Sequence, residues 1–299
     1  MKPPPFDYHR PASLGEALDA LAEAGGHGKV LAGGQSLIPL LNMRLAAPGH
    51  LVDINRLTEL DTIAADASGV RVGALARHAA VERSASAKAA QPLLAQALRL
   101  VAHPVIRNRG TVVGSLVHAD PSAEMPAVLA LLGGSVRLAR RGAEREVAAT
   151  DFFVGPLESA LLPGELAVSA FFPALPGRSG TAFCEVARRH GDYAMAGVAA
   201  AVTLDEDFRI AAAKVACVSV GPVPVVVDVS QVCGTRPVAS VDWDAVAGAV
   251  QDTIEPEDDI HATAEYRRHL TGVLVTRALR EAAHDAAQDA ARAAGEGQA

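Results

Sequence analysis

The stretch Val30–Leu41, VLAGGQSLIPLL, runs an apolar strand into two adjacent glycines and then into a helix start. Adjacent glycines let successive backbone N–H groups turn towards one point that no side chain crowds, which makes a concave anion site. Ser36 is a residue type suited to cap the following helix, and Pro39 falls in the first turn, where an N–H has no intrahelical partner anyway. An anionic group docked here would meet free donors and the positive end of a helix together. The same residues also suit an ordinary strand–turn–helix corner, and this stretch by itself leaves both readings open.

The surrounding composition narrows the classes. Half of the 299 residues are hydrophobic, which gives room for two domains and a sizeable core. A net charge of −7 leaves no surplus of Lys and Arg for nucleic acid. Apolar runs such as Val215–Val229 are broken by Gly221, Pro222 and Pro224, short of the roughly 20 residues of a membrane helix. Prolines in MKPPPFDYHRP stand where a secretory signal carries its apolar core, so a cytoplasmic protein is expected. Cys184, Cys217 and Cys233 are odd in number and widely spaced, and offer neither a disulfide framework nor an iron–sulfur ligand set. The histidines are scattered too, and His118 with Asp120 reads as part of a polar loop rather than a metal site.

Along the chain, Ser13 and Glu16 form a capping box ahead of Leu14, Ala17, Leu18 and Leu21, a helix that Gly25 and Gly26 stop. Lys29–Leu31, Leu51–Ile54 and Val70–Gly73 read as short strands, and Leu37–Leu45 as a helix. Ala79–Val101 is helical, with Pro92 opening a second helix. Strands are expected at Ser135–Ala139 and Glu165–Phe172, with a short helix near Thr150–Phe153 between them. Helices and strands mix without regular βαβ alternation, which favours an α+β fold. The turn-rich PALPGRSG, Pro173–Gly180, marks a domain boundary. Thr181–Glu185, Val198–Leu204 and Lys214–Val220 follow as antiparallel strands, then helices at Trp243–Gln251 and Ala262–Ala286. Residues 287–299 carry few large apolar side chains and read as a disordered tail.

Two further segments carry chemistry. Arg107–Glu124, RNRGTVVGSLVHADPSAE, reads as a polar loop with Gly110, Thr111, Gly114 and Ser115 exposed for close approach, as in the first stretch. ARRHGDYAMAG, Ala187–Gly197, gathers Arg188, Arg189, Asp192 and Tyr193 before a strand. It suits either a charged turn or a tyrosine ring laid against a flat heteroaromatic ligand. The dinucleotide fingerprint G-x-G-x-x-G and the Walker lysine are absent, and Ser36 lacks the setting of a nucleophile elbow.

Together AGGQSLIPLLNMRL (Ala32–Leu45), HPVIRNRGTVVGSLVHADPSAEMPA (His103–Ala127) and ARRHGDYA (Ala187–Ala194) resemble the FAD-binding medium subunit of the molybdenum hydroxylases, the family of carbon monoxide dehydrogenase and xanthine dehydrogenase. The likeness runs from Pro3 to about Ala283. It implies a two-subdomain FAD-binding domain of the vanillyl-alcohol-oxidase (PCMH) type over residues 1–176, with subdomains about 1–58 and 59–176. A small α+β C-terminal domain with an antiparallel sheet would span 177–286. By motif match, Ala32, Gly33, Gly34, Gln35 and Ser36, with Lys29, Val30 and Leu31 completing the segment, cradle the pyrophosphate and adjoining ribityl groups from one side. Gly110, Thr111, Gly114 and Ser115 do so from the other. Val101 and Glu124 match positions near the nucleotide half, and Tyr193, with Asp192 in the same motif, an aromatic close to the isoalloxazine ring.

The resemblance further implies an electron-transfer role. FAD on this chain would take electrons from 2Fe–2S clusters of a small partner subunit, itself served by a large molybdopterin subunit, and pass them to an external acceptor. A dimer of heterotrimers is the implied assembly, with no metal and no acid–base residue on this chain. The same fold would also serve a stand-alone FAD oxidoreductase or a non-redox nucleotide-binding assembly module. One position departs from the family: relatives carry a glycine where Val113 stands. A positive φ there would strain a β-branched residue by roughly 1–3 kcal/mol and weaken FAD retention, whereas an ordinary backbone would only narrow the clearance.

Overall fold

The structure, a computed structural model, describes residues 2–296. The first unit comprises β1 (Asp7–His9), α1 (Leu14–Ala24), β2 (Gly28–Leu31), α2 (Leu37–Met43) and β3 (His50–Asp53), with the strands parallel in the order β1-β3-β2. The capping box forms at α1. The Ser13 hydroxyl accepts the Glu16 N–H at 3.2 Å, and the Glu16 carboxylate takes the Ala12 N–H at 2.7 Å, one residue upstream of the usual partner. Gly25, at φ 56°, ends the helix.

The second unit runs through β4 (Ile63–Asp66), β5 (Gly69–Gly73), α3 (His78–Arg83), α4 (Ala85–Ala90), α5 (Pro92–Leu98), α6 (Pro104–Arg107), α7 (Val112–His118) and α8 (Glu124–Leu132). It continues with β6 (Ser135–Arg140), β7 (Ala143–Ala148), α9 (Ala149–Phe152), β8 (Phe153–Gly155), β9 (Glu158–Ser159) and β10 (Leu166–Pro173). Its main sheet is antiparallel in the order β4-β5-β10-β6-β7. The helical stretch expected from Ala79 is broken into three because Ser84 and Gln91 cap α4 and α5 and Pro92 opens α5. Strand β7 carried no sequence signal, since all but Val147 of its side chains are exposed and no apolar alternation remains.

Arg107–Glu124 is not the polar loop expected. Thr111 accepts the Gly114 N–H at 3.0 Å and starts α7, with Val112, Val113 and Leu116 buried on one face. Their i, i+1, i+4 spacing is a helix signal that the glycines and hydroxyls mask. Val113 is 2% exposed with a right-handed helical backbone, so the strain conditional on a positive φ does not arise.

The last unit is an antiparallel sheet of β11 (Ser179–Ala187), β12 (Ala194–Leu204), β13 (Ile210–Val218) and β14 (Val225–Asp228), followed by α10 (Ser230–Cys233), α11 (Trp243–Gln251) and α12 (Ala264–Glu296). Helix α12 corrects the expected tail: it continues to Glu296, and residues 297–299 lie outside the described residues. The added turns are alanine-rich, the strongest helix-forming composition, and bury Ala290. The Arg178 N–H, donating to Asp289 Oδ2 at 3.0 Å, ties them to the segment ahead of β11.

The largest core joins α5, α7, α8 and the five-stranded sheet, and runs on into Ala199, Ala216 and Val218 of β12 and β13. The C-terminal sheet therefore packs directly on the unit before it, with α8 at the seam. No helix among the described residues is long and apolar enough to cross a membrane.

Candidate functional site

Parallel register pairs Leu31 with Asp53, so β2 and β3 end together and release residues 32–36 and 54–55 at one edge. Gly34 turns the chain at φ 75°, and Gln35 Nε2 donates to the Gly33 carbonyl at 3.1 Å. The N–H groups of Gly33, Gly34, Gln35 and Ser36 donate to no acceptor among the described residues. Ser36 occupies the N-cap position of α2, but the expected hydroxyl cap is absent. Its backbone is already helical (φ −96°, ψ −46°), whereas capping needs an extended residue that aims its oxygen over the first turn.

The second glycine segment meets the first by backbone contact. A Cβ on Gly33 would lie 2.4 Å from the Arg109 carbonyl oxygen and 2.8 Å from Gly110 Cα, so only glycine fits there. Polar side chains hold the pair in place. Asn55 Nδ2 donates to the Ala32 carbonyl at 2.8 Å and to Asp53 Oδ1 at 2.6 Å. Arg77 donates from Nη2 to Asn55 Oδ1 at 2.7 Å and from Nη1 to the Arg109 carbonyl at 2.5 Å, spanning both segments. Tyr8 Oη donates to Asp53 Oδ2 at 2.5 Å. Burial alone would raise the Asp53 pKa, but these bonds from Tyr8 and Asn55 hold it below the usual carboxylate range. Burial, then the Arg109 charge, lowers the Arg77 pKa.

A cavity of about 440 Å³ opens between the segments, lined by Ala32–Gln35, Asn55 and Arg109 among others. Arg109 forms no ion pair among the described residues. Unpaired N–H groups with a cationic side chain opposite form a donor set for an anionic, phosphate-like group. That composition fits the pyrophosphate of a dinucleotide.

The other expected residues take several different places. Lys29 is exposed on β2, and Val30 packs, partly buried, against a cluster of α1 and β3 side chains that includes Ala17, Leu21 and Val52. The Val101 side chain is 8% exposed within the main core and its carbonyl accepts from Arg107, so Val101 is turned away from the cavity. Leu31 lines the cavity; Gly110 lies at the contact with Gly33 but over the buried His78 ring; Thr111 is buried and spends its hydroxyl on capping α7. Gly114 and Ser115 lie on the first turns of α7.

Helix α7 spans about 10 Å and leads from this cavity to a second cluster at the domain seam, made of Asp120, Glu124, Glu185 and Tyr193. Glu124 opens α8; burial first, then the Asp120 charge, pushes its pKa up to about 7. Glu185 on β11 is pushed up to about 8 by burial and then by Glu124, and its Oε2 is enclosed without a partner among the described residues. Tyr193 is 68% exposed at the turn into β12. Asp192 binds Arg189 at 2.9 Å and Arg188 at 3.5 Å, so its carboxylate pins this turn. His78, beneath Gly110, is buried and makes no well-formed ring hydrogen bond among the described residues; burial pushes its pKa down to about 4, against a smaller opposing contribution from the Thr111 backbone.

Sequence reading missed Asp53, Asn55, Arg77, His78, Arg109 and Glu185. Arg109 lies within the second glycine segment but was not singled out there, and the others sit in no motif with its own chemistry. Asn55, two residues past a strand end, is legible only as a turn residue until the parallel register places it beside Ala32.

Comparison with known proteins fits this geometry. Residues 4–175 match the family described as FAD binding domain in molybdopterin dehydrogenase, and residues 181–282 match CO dehydrogenase flavoprotein C-terminal domain. The chain is 40% identical to the 6-hydroxypseudooxynicotine dehydrogenase complex subunit alpha of Paenarthrobacter nicotinovorans, over 96% of its own length and 97% of that protein's. It is 34% identical to the carbon monoxide dehydrogenase medium chain of Hydrogenophaga pseudoflava, over 94% and 98% of the two chains. A chain in the crystal structure of quinoline 2-oxidoreductase from Pseudomonas putida 86 superposes with a TM-score of 0.89 at 35% identity, over 96% of this chain and 99% of that one.

Proposed function

Because the chain belongs to the family of FAD-binding subunits of the molybdopterin dehydrogenases, which are oxidoreductases, we propose that it is the flavin-carrying medium subunit of a cytoplasmic heterotrimeric molybdenum hydroxylase. Its partners are a large molybdopterin subunit and a small subunit with 2Fe–2S clusters, assembled as a dimer of heterotrimers. The carrying observation is the run of N–H groups at Gly33–Ser36, unpaired among the described residues, lining one cavity with Arg109 where Gly33 packs against the Arg109–Gly110 backbone. When bound, FAD supplies the exchange between one-electron carriers and a two-electron acceptor.

The chain's own residues bind and orient. The N–H groups of Gly33–Ser36 and the Arg109 guanidinium hold the pyrophosphate. Asn55 and Arg77 fix the gap between the two segments. Gly114 and Ser115 present α7 to the ribityl chain, and Tyr193 stands beside the flat ring, with Glu124 and Glu185 behind it. The two units before residue 176 form a PCMH-type domain around this site, and no residue is assigned a proton-transfer step. Similar proteins named for carbon monoxide, quinoline and 6-hydroxypseudooxynicotine share this chain's length, which supports placing substrate choice on a partner subunit.

Co-expression with genes for a molybdopterin protein and a cysteine-rich small protein, followed by cofactor extraction, tests the reading. FAD, iron and molybdenum should copurify with the chain. FAD alone, with no partner retained, would instead identify a stand-alone flavin oxidoreductase, and no flavin a non-redox module.

A further inference from the structure

Beyond β13, Ser219 adopts φ 62°, a left-handed conformation that a non-glycine residue holds only when its surroundings impose it. Each of its polar groups is used by a different segment. Its N–H donates to the Pro121 carbonyl at 2.9 Å, in the connection between α7 and α8. Its hydroxyl donates to the Ala194 carbonyl at 2.6 Å, one residue after Tyr193. Its carbonyl accepts from Arg267 Nη1 at 3.2 Å.

Arg267 stands in the first turn of α12, where a cation opposes the helix dipole and is unfavourable on local grounds. It is nevertheless buried, with its side chain 7% exposed. Nη1 also donates to the Met195 carbonyl at 2.6 Å, and Nη2 to Asp259 Oδ2 at 2.6 Å. Asp259 is organised for this task, since its other oxygen takes the N–H groups of His261 at 2.8 Å and Ala262 at 2.9 Å. A buried guanidinium needs hydrogen-bonded partners, and here they include the backbone just after Tyr193 and the backbone at Ser219.

We propose that Arg267 and Ser219 are positioning residues that clasp the Tyr193 turn and the Pro121 segment together, so that the C-terminal domain sets the geometry of the ring side of the flavin site. The inference rests on the proposed function in taking that side to face the flavin. Neither residue touches the cavity at the glycine end, so the clasp acts through Tyr193, Asp120 and Glu124. It gives the C-terminal domain, which supplies no residue to the glycine segments, a share in holding the cofactor.

The test uses the full chain with Arg267→Met and, as a milder change, Ser219→Gly, which accepts the left-handed backbone and removes only the hydroxyl bond. Amide hydrogen exchange of the flavin-free chain should rise several-fold at residues 119–124 and 188–196 in both variants, with α5 unchanged. FAD should bind about tenfold more weakly, the loss of roughly one buried hydrogen bond, and its emission on the chain should be less quenched by Tyr193. Ser219→Gly should show this at an unchanged melting temperature, which a purely structural role would not produce. Unchanged exchange in both segments, or faster exchange with unaltered flavin affinity and emission, would overturn the clasp. A wild-type chain that took up no FAD would defeat the functional reading instead, and exchange alone would then decide whether the two segments are held together.

Discussion

Replacing Val113 by glycine should weaken the fold and leave flavin retention no better. Its side chain is packed in the main core on α7, so the variant loses buried methyls and helix propensity together, about 3 kcal/mol. Thermal unfolding and FAD content of the two purified proteins check this, and higher FAD occupancy in Val113→Gly would restore the steric reading. At the same scale, buried titratable groups predict a pH profile for the flavin-free chain. His78 is held at about 4 against an ordinary 6.5, so between those values the unfolded chain binds a proton that the folded chain refuses. Stability is therefore lost as pH falls through this window, by on the order of 3 kcal/mol. Glu124 and Glu185 act in the opposite sense. Raised to about 7 and about 8, they stay protonated in the fold while the unfolded chain ionises above 4.5, so stability is lost as pH rises towards 8. Melting temperature against pH should show both limbs, with Glu185→Gln flattening the alkaline one and His78→Gln the acid one.

Among the elements, the join between the two glycine segments depends on side chains that neither segment contains. Asn55→Ala or Arg77→Met leaves the Ala32 or Arg109 carbonyl without its donor and frees the gap, so FAD affinity should fall about tenfold with little change in melting temperature. Unchanged affinity in a calorimetric titration would reduce these residues to scaffolding. The first glycine segment was legible from local sequence, because glycine pairs, strand pattern and helix start all lie within twelve residues. Helix α7 was not, since Gly110, Gly114 and the hydroxyls imitate a loop, and only the Val112, Val113, Leu116 face betrays it. Asn55, Arg77 and Glu185 could not be read at all, because their roles arise from register and from the packing of distant segments. The end of α12 was misread for a simpler reason: alanine-rich turns lack large apolar residues yet are the best helix formers. Amides of residues 287–290 should accordingly exchange slowly with deuterium, where a disordered tail would exchange at once.

For the molecule as a whole, the three units divide the work. The parallel sheet delivers Gly33–Ser36, the second unit supplies Arg109 and α7, and the C-terminal sheet brings Tyr193 and Glu185 to the seam over a shared core. Order and spacing of the three motifs carried this arrangement in the sequence, whereas the contacts that set its geometry did not show there. The central claim is that the first glycine turn, pressed on the Arg109–Gly110 backbone, holds FAD. Titration of FAD into the purified chain and its Gly33→Ala variant tests it most directly. The wild type should bind one FAD per chain, and the variant, whose added methyl meets the Arg109 carbonyl, should bind at least tenfold more weakly at unchanged circular dichroism. Equal affinity in the two proteins would contradict the claim.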